Sequence, residues 1–137
     1  MNCSVNLIIA TLTIICFMSG FQDPPQPARE LVGRWNMREL YENGNDVTNE
    51  HNPAGNRYAV FNEDGTFESG GDPYGKNSGK WLLEETPEGL LLYLDSDAGS
   101  GDDSYWLITL EGKNMQWRGA RSEFTKRFVV NLTKADS

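Results

Sequence analysis

The stretch "ELVGRW", residues 30–35, opens the part of the chain in which apolar and polar side chains alternate. Leu31, Gly33 and Trp35 fall on one face of an extended strand, because successive side chains of a strand point to opposite sides. A glycine inside a strand weakens it, so Gly33 indicates that another group packs close to the backbone at this position.

Seven further short apolar runs follow, separated by turn residues, which is typical of an all-β domain. The eight predicted strands cover residues 31–41, 57–62, 65–69, 79–85, 89–95, 104–110, 114–119 and 124–133. Alternation predicts an inward face made of Leu31, Gly33, Trp35, Met37, Trp81, Leu83, Trp106, Ile108, Leu110, Met115, Trp117, Phe124, Phe128, Val130 and Leu132. The second and fifth strands are apolar on both sides, so alternation does not define their inward faces.

The lengths of the connections predict how the strands are arranged. The turns "NEDG" (62–65), "TPEG" (86–89) and "EGKN" (111–114) are tight, whereas the intervening connections, residues 42–56, 70–78, 96–103 and 120–123, are mostly longer. In an up-and-down meander alternate connections lie at opposite ends. The sequence therefore predicts an all-β fold, an eight-stranded antiparallel up-and-down barrel with one open mouth and one closed base. A two-sheet sandwich is the alternative, and the first connection is long enough for a short helix.

This arrangement places Trp35 inside the barrel near its closed base, where a large ring can plug the bottom. Gly33 lies one step nearer the base on the same face and leaves room for the chain or a neighbouring ring to cross it.

The N-terminal region has a different composition from the rest of the chain. The first 22 of the 137 residues contain no Asp, Glu, Lys or Arg, and residues 5–18 are an apolar run of 14 residues. This length suits a secretory signal better than a membrane span, which needs about 20 residues. We predict a signal peptide or lipoprotein signal at 1–20, a stiff, extended Pro-rich linker at 21–29 and one domain at 30–137.

The maturation route has three alternatives, namely a cleaved signal, lipidation at Cys16 and an uncleaved anchor. Each of them exports the domain, to the periplasm, the outer membrane or the extracellular space. Cys3 and Cys16 are the only cysteines of the chain. The mature domain is therefore neither a disulfide scaffold nor a thiolate metal site. The net charge of −8 argues against a nucleic-acid partner, because phosphate binding relies on clustered Lys and Arg.

The motifs from residue 28 onward resemble those of small exported bacterial lipocalin-like domains of the calycin superfamily. The matching elements are Gly33-x-Trp35, the hairpin "FNEDGTF" (61–67), Gly79-x-Trp81 and the closing strand "FVVNL" (128–132). The resemblance implies a small, largely apolar ligand inside the barrel. It also implies an arginine near the end of the last strand that covers the base tryptophan, for which Arg127 is the nearest candidate.

Large inward rings are the predicted ligand-binding residues, and they are Trp35, Phe67, Trp81, Trp106, Trp117 and Phe128. The three tryptophans at 81, 106 and 117 are placed in mid-strand or nearer the mouth, where they would form pocket walls. Six such rings could equally fill a barrel of eight short strands, so a solid core without a pocket is the alternative.

The predicted mouth loops are acidic. They carry Asp46, Glu50, Asp72, Asp97, Asp102, Asp103 and Glu123 against Lys76 and Arg121. Because an acidic rim repels anions, we expect a neutral or cationic ligand. The runner-up function is a cell-envelope interaction module for protein or glycan, with a filled barrel and exposed loop aromatics such as Tyr74.

The sequence predicts no enzyme, no metal and no cofactor, and it predicts a monomer. His51, the only histidine, is interpreted as a solvated loop residue without a nucleophile motif beside it. An isomerase-type enzyme would need an inward carboxylate, and alternation places none inside. The acidic loop at 95–104 is interpreted as solvated, with a calcium site as the alternative.

Overall fold

The computed structural model describes residues 25–136, which contain nine β-strands, two short α-helices and two 3-10 turns. In chain order these elements are α1 (Gln26–Leu31), β1 (Gly33–Glu42), β2 (Asn45–Asp46), α2 (Thr48–His51), β3 (Tyr58–Phe61), β4 (Thr66–Gly70), β5 (Asn77–Thr86), β6 (Gly89–Ser96), a 3-10 turn (Ser100–Asp102), β7 (Ser104–Glu111), β8 (Asn114–Ala120), a second 3-10 turn (Thr125–Arg127) and β9 (Phe128–Lys134). The predicted signal segment, residues 1–20, lies outside the described residues together with both cysteines.

Eight of these strands form one closed barrel. The strands β1, β3, β4, β5, β6, β7, β8 and β9 are successive neighbours, and β9 pairs back onto β1. Every pairing is antiparallel. The two-residue strand β2 pairs with the end of β1 and is not part of the ring. The predicted eight-stranded up-and-down barrel is confirmed, and the two-sheet sandwich is excluded.

The connections sort by length as predicted. The tight turns at 62–65, 86–89 and 111–114 lie at the end where β1 begins, which we call the floor. The other four connections lie at the opposite end, which we call the mouth. The first of them contains β2 and the short helix α2. Among the described residues, no helix has the length and apolar character that a membrane span requires.

Trp35 fills the floor of the barrel. Its side chain is fully buried, and its Nε1 donates a 2.8 Å hydrogen bond to the backbone oxygen of Leu31, which is itself fully buried at the end of α1. Phe61 from β3 and Leu92 from β6 are the other large side chains buried to the same degree. The predicted position of Trp35 is therefore confirmed.

The group that crosses Gly33 is a lysine side chain. A Cβ at Gly33 would lie 2.9 Å from Lys134 Cε, and the φ angle of +127° is one that other residues rarely adopt. Lys134 Nζ donates a 2.9 Å hydrogen bond to the Glu30 oxygen and lies 5.3 Å from the centre of the Trp35 ring. A lysine at the end of β9 thus covers the base tryptophan, whereas Arg127 lies at the mouth end of that strand and does not.

The start of the domain differs from the prediction. Residues 26–31 form a helical turn, whereas the sequence predicted an extended linker to residue 29 and a strand from residue 31. Proline is compatible with the first turn of a helix, where its missing N–H is not needed, and Pro27 lies in that turn. The turn directs Leu31 beneath the barrel, so Leu31 contributes to the floor and not to a wall.

Alternation predicted most of the inward face correctly. Trp35, Met37, Trp81, Leu83, Trp106, Ile108, Leu110, Met115, Trp117, Phe128, Val130 and Leu132 all belong to the core or pack against it. In β3 and β6, the two strands whose inward faces alternation did not define, the side chains directed toward the core are Ala59, Phe61, Leu90, Leu92 and Leu94. In β1 the register with β9 shifts between Met37 and Glu39, and the next buried residue is Leu40. A bulge of this kind adds one residue and reverses the alternation beyond it.

Phe124 was predicted to face inward, and this prediction is wrong. Its side chain is 67% exposed, and β9 begins four residues later at Phe128. The 3-10 turn Thr125–Arg127 separates the two phenylalanines, so the strand alternation does not extend back to Phe124. The guanidinium of Arg127 covers the exposed ring at 4.7 Å from its centre.

The Trp35–Leu31 hydrogen bond is testable by substitution. Trp35→Phe keeps a large ring but leaves the buried Leu31 oxygen without its donor, so we expect a loss of about 1–3 kcal/mol in the free energy of unfolding. Trp81→Phe is the matched control, because its Nε1 bond to the Asn62 oxygen is exposed and water can replace it. Urea unfolding measures both variants, and an equal loss in the two would contradict the role of Trp35.

Candidate functional site

The mouth half of the barrel contains a cavity of about 450 Å³. Its inner wall is mostly apolar and includes Ala59, Phe67, Leu94, Trp106, Trp117 and Leu132. Polar side chains line it nearer the mouth, among them Arg57, Ser69, Lys76, Asn77, Asp102 and Ser104. A concave site with apolar walls and a few polar groups is the usual form of a small-molecule site.

Three of the six predicted binding residues line this cavity, namely Phe67, Trp106 and Trp117. The indole rings of Trp106 and Trp117 lie 5.4 Å apart, centre to centre. Trp35 lies in the floor below, and Phe128 packs at the mouth end of β9 against Phe124.

Trp81 was predicted in mid-strand or nearer the mouth, and it lies in the middle of β5, beside the first tight turn at the floor. Its backbone N–H donates to the Gly65 oxygen and its Nε1 to the Asn62 oxygen, both in the first tight turn. The register of β4 with β5 pairs Thr66 with Lys80, and this fixes Trp81 beside that turn. Its ring packs edge-on against Phe61, 6.0 Å away.

The placement of these rings explains why the barrel is not filled. Trp35, Phe61 and Trp81 are concentrated at the floor, and Phe128 lies at the opposite end. The positions that line the cavity between them include small residues, such as Ala59 and Ser69. Side chains of this size leave space that the tryptophans of β7 and β8 do not occupy.

A cluster of aromatic and basic side chains lies at the mouth and was not predicted. We call His51, Arg57, Tyr74 and Phe128 the mouth cluster. His51 Nδ1 is hydrogen-bonded to the Tyr74 hydroxyl, and the Arg57 guanidinium lies 4.6 Å from the centre of the Tyr74 ring. His51 also meets Phe128 edge-on at 6.3 Å. His51 is half-buried, so it differs from the solvated loop residue that the sequence predicted.

The helix α2 is held in place by short-range hydrogen bonds. Asp46 accepts bonds from the Thr48 backbone N–H at 2.9 Å and from the Thr48 hydroxyl at 2.6 Å. The same hydroxyl accepts a bond from the Leu40 N–H of β1. At the other end of α2, the buried Asn52 accepts from the Arg57 N–H and donates to the Met37 oxygen. These bonds fix α2 against β1 and the start of β3.

Most of the acidic rim residues accept hydrogen bonds from neighbouring loops and strand ends. Asp72 accepts a bond from Asn56 Nδ2, Asp97 from the Ser78 hydroxyl, and Asp103 from the Ser96 backbone N–H. Of the acids predicted at the rim, Asp102 is the one that lines the cavity, where it is joined by Lys76 and Arg57. The charged residues that line the cavity therefore do not have the acidic excess of the mouth loops as a whole.

Two further features concern what the site could hold. The Nε1 of Trp117 is buried and has no hydrogen-bond partner within residues 25–136, and an unpartnered buried donor costs about 1–3 kcal/mol. The Trp117 side chain lines the cavity, whereas its Nε1 itself is buried away from solvent. In the same part of the chain, no group of three or more His, Cys, Asp or Glu side chains is arranged to hold a metal ion.

Comparison with known proteins agrees with this geometry. A family model described as a lipocalin-like domain matches residues 31–117. The crystal structure of a DUF4847 family protein from Bacteroides vulgatus ATCC 8482 superposes with a TM-score of 0.52 at 14% sequence identity. The superposition covers 77% of this chain and 96% of that protein, and at this identity it bears on the fold alone. No curated protein sequence matches the chain.

The anchoring of α2 predicts a pH dependence. The two hydrogen bonds from Thr48 lower the pKa of the Asp46 carboxyl below its ordinary value of 3.8. A lowered pKa in the folded state stabilises the protein above the unfolded-state pKa, and the gain disappears as the pH falls through the folded-state value. Asp46→Asn should therefore be less stable than the wild type at pH 6, and this difference should be smaller at pH 3, below the ordinary pKa of 3.8.

Urea unfolding at the two pH values measures the difference. The control is Glu50→Gln on α2, because the Glu50 carboxylate accepts no hydrogen bond in the described part of the chain. A constant gap between Asp46→Asn and the wild type at both pH values would contradict the assignment.

Proposed function

The chain belongs to the lipocalin-like domain family, and from this membership we propose that it binds a small, largely apolar molecule in the cavity at the mouth of its barrel. The observation that carries the proposal is the cavity itself. Its volume of about 450 Å³ lies within the usual range of small-molecule sites, about 300–1,000 Å³. A barrel filled by its own side chains would have left no such space.

The apolar wall accounts for the binding energy in this proposal. Transfer of apolar surface out of water contributes about 25 cal/mol per Å². Phe67, Trp106 and Trp117 offer ring surfaces to the bound molecule, and the polar residues near the mouth would orient it. The preference for a neutral or cationic ligand stays a prediction based on the acidic loops.

The alternative function is a cell-envelope interaction module that contacts a protein or a glycan. Tyr74 is 58% exposed at the mouth, as this alternative expects. However, the Tyr74 ring is held between His51 and Arg57 and also lines the cavity, which favours a role at the entrance. The proposal assigns no catalytic activity, no cofactor and no nucleic-acid partner, and it treats the protein as a monomer.

Export is part of the proposal, and it is based on the apolar run at residues 5–18. We expect the mature protein from its own host to lack the first residues of the chain. Intact-mass measurement distinguishes the routes, because a cleaved signal gives an unmodified N-terminus near residue 20 and a lipoprotein gives an acylated Cys16. A full-length cytoplasmic protein would contradict export without affecting the cavity.

The cavity proposal is tested by blocking the space. Ser69→Trp places an indole in the cavity, so we expect it to weaken binding of the neutral fluorescent probe phenylnaphthylamine by at least about tenfold. Thr109→Trp is the matched control, because Thr109 is exposed on the outside of β7. Fluorescence titration of the folded variants gives the affinities.

Two results would contradict the cavity proposal. One is absence of saturable probe binding to the wild type. The other is equal binding by wild type and Ser69→Trp, which would place the probe elsewhere. Native mass spectrometry of protein purified from its own host complements the titration, because a co-purifying small molecule would be seen directly.

A further inference from the structure

Arg57 is the most enclosed cation of the cavity. It directly precedes β3, its side chain is half-buried, and it lines the cavity at the mouth. Its Nη1 donates a 3.2 Å hydrogen bond to the His51 backbone oxygen, and its guanidinium stacks 4.6 Å from the Tyr74 ring centre. Three elements therefore hold this side chain in one position, namely β3, α2 and the loop before β5.

No carboxylate within residues 25–136 forms an ion pair with Arg57. The four ion pairs of this part of the chain involve Lys76, Lys113, Lys126 and Arg127. Burial removes water from the Arg57 guanidinium and lowers its pKa, and the Tyr74 hydroxyl is its nearest ionisable partner. Buried charges in proteins are usually paired, because an unpaired one loses hydration without compensation. Arg57 lacks that compensation within the part of the chain that the structure describes.

The charges that face the cavity favour an anion there. Arg57 and Lys76 carry two positive charges and Asp102 carries one negative charge, so the lining has a net charge of +1. Lys76 is already paired with Glu68 at 4.0 Å, which leaves Arg57 as the lining cation without a carboxylate partner within residues 25–136. Arginine presents a planar set of donors that matches carboxylate and sulfonate groups. One Nη1 contact is made to His51, and the guanidinium has further donors available for a ligand.

We propose that the cavity binds a molecule with an apolar body and one anionic group, and that Arg57 contacts the anionic group. This inference rests on the proposed function and replaces its expectation of a neutral or cationic ligand. The apolar body would lie against Trp106 and Trp117 further inside the barrel. Arg57 would act as a specificity-determining residue at the mouth.

The overall negative charge of the protein does not contradict this assignment. The net charge of −8 acts at long range, and physiological salt screens such interactions beyond about 8 Å. Arg57 acts at contact distance in a partly dry site, where charge interactions are stronger than in water. The long-range field would slow the approach of an anion, whereas Arg57 would determine how tightly it is held.

A pair of matched probes tests the proposal. Anilinonaphthalene sulfonate and phenylnaphthylamine share the same aromatic skeleton, and only the first carries an anionic group. We expect the folded wild type to bind the sulfonate at least about tenfold more tightly than the neutral probe. Arg57→Gln should remove this preference, so that its affinities for the two probes agree within about twofold. Added salt should weaken binding of the sulfonate alone.

Arg34→Gln is the matched control. Arg34 also stacks on a tyrosine, with its guanidinium 4.0 Å from the Tyr58 ring centre, but it points outward and does not line the cavity. This control should keep the full preference. Should Arg57→Gln not fold, naphthylacetate and its methyl ester are compared as competitors of phenylnaphthylamine on the wild type, and the acid should compete at least about tenfold better.

The outcomes separate this inference from the proposed function. Equal affinity for both probes in the wild type would overturn the role of Arg57 while leaving the cavity proposal intact. The same loss of preference in Arg57→Gln and Arg34→Gln would overturn it as well, because the effect would then come from net charge. Failure of both probes to bind the wild type would overturn the proposed function and this inference together.

Discussion

Pairing between β1 and β9 closes the barrel. The arrangement of the mouth depends on how far each of the two edges of β1 is paired with a neighbouring strand. One edge of β1 pairs with β9 from Trp35 to Glu42, nearly its full length. The other edge pairs with β3 only over residues 33–36, because β3 has four residues. Beyond that point the free edge is occupied by β2 and α2. Because β3 is short, it leaves a gap in the barrel wall near the mouth, and the first mouth loop fills this gap.

This gap determines which residues reach the cavity entrance. The loop that fills it carries His51 and Asn52, and Asn52 holds the backbone N–H of Arg57. Gly71 packs against the same backbone, since a Cβ there would lie 2.5 Å from Arg57 Cα. The loop after Gly71 brings Tyr74 onto the Arg57 side chain. The mouth cluster thus follows from strand lengths at one edge of β1.

The sequence predicted the barrel and most of its inward residues, because alternation and loop length are local signals. It did not show that Trp81, which it placed in mid-strand or nearer the mouth, lies beside the first tight turn, because the level of a residue in the barrel depends on the register between neighbouring strands, which is not local. It also missed Lys134 over Trp35, since a lysine at a strand end looks like any solvated residue. Arg57 was not singled out either, because its partners come from two separate loops.

The two ends of the barrel differ in how completely their side chains are packed and hydrogen-bonded. The floor contains the fully buried ring of Trp35, whose hydrogen bond is satisfied by Leu31. Nearer the mouth lies the cavity. Two groups there have no partner among the described residues, namely the Arg57 guanidinium, which forms no ion pair, and the buried Nε1 of Trp117, which has no acceptor. Unsatisfied groups destabilise a fold, so their concentration on one side of the molecule is consistent with the proposed binding site there.

The position of α1 determines which end of the barrel lies nearer to the segment that precedes it. Because α1 ends beneath Trp35, Pro25 emerges on the floor side, and so does the C-terminal end of β9. A tether attached through the preceding residues would hold the closed pole toward its attachment surface. The cavity entrance would then face outward, so that a ligand could arrive and leave without passing the surface to which the domain is fixed.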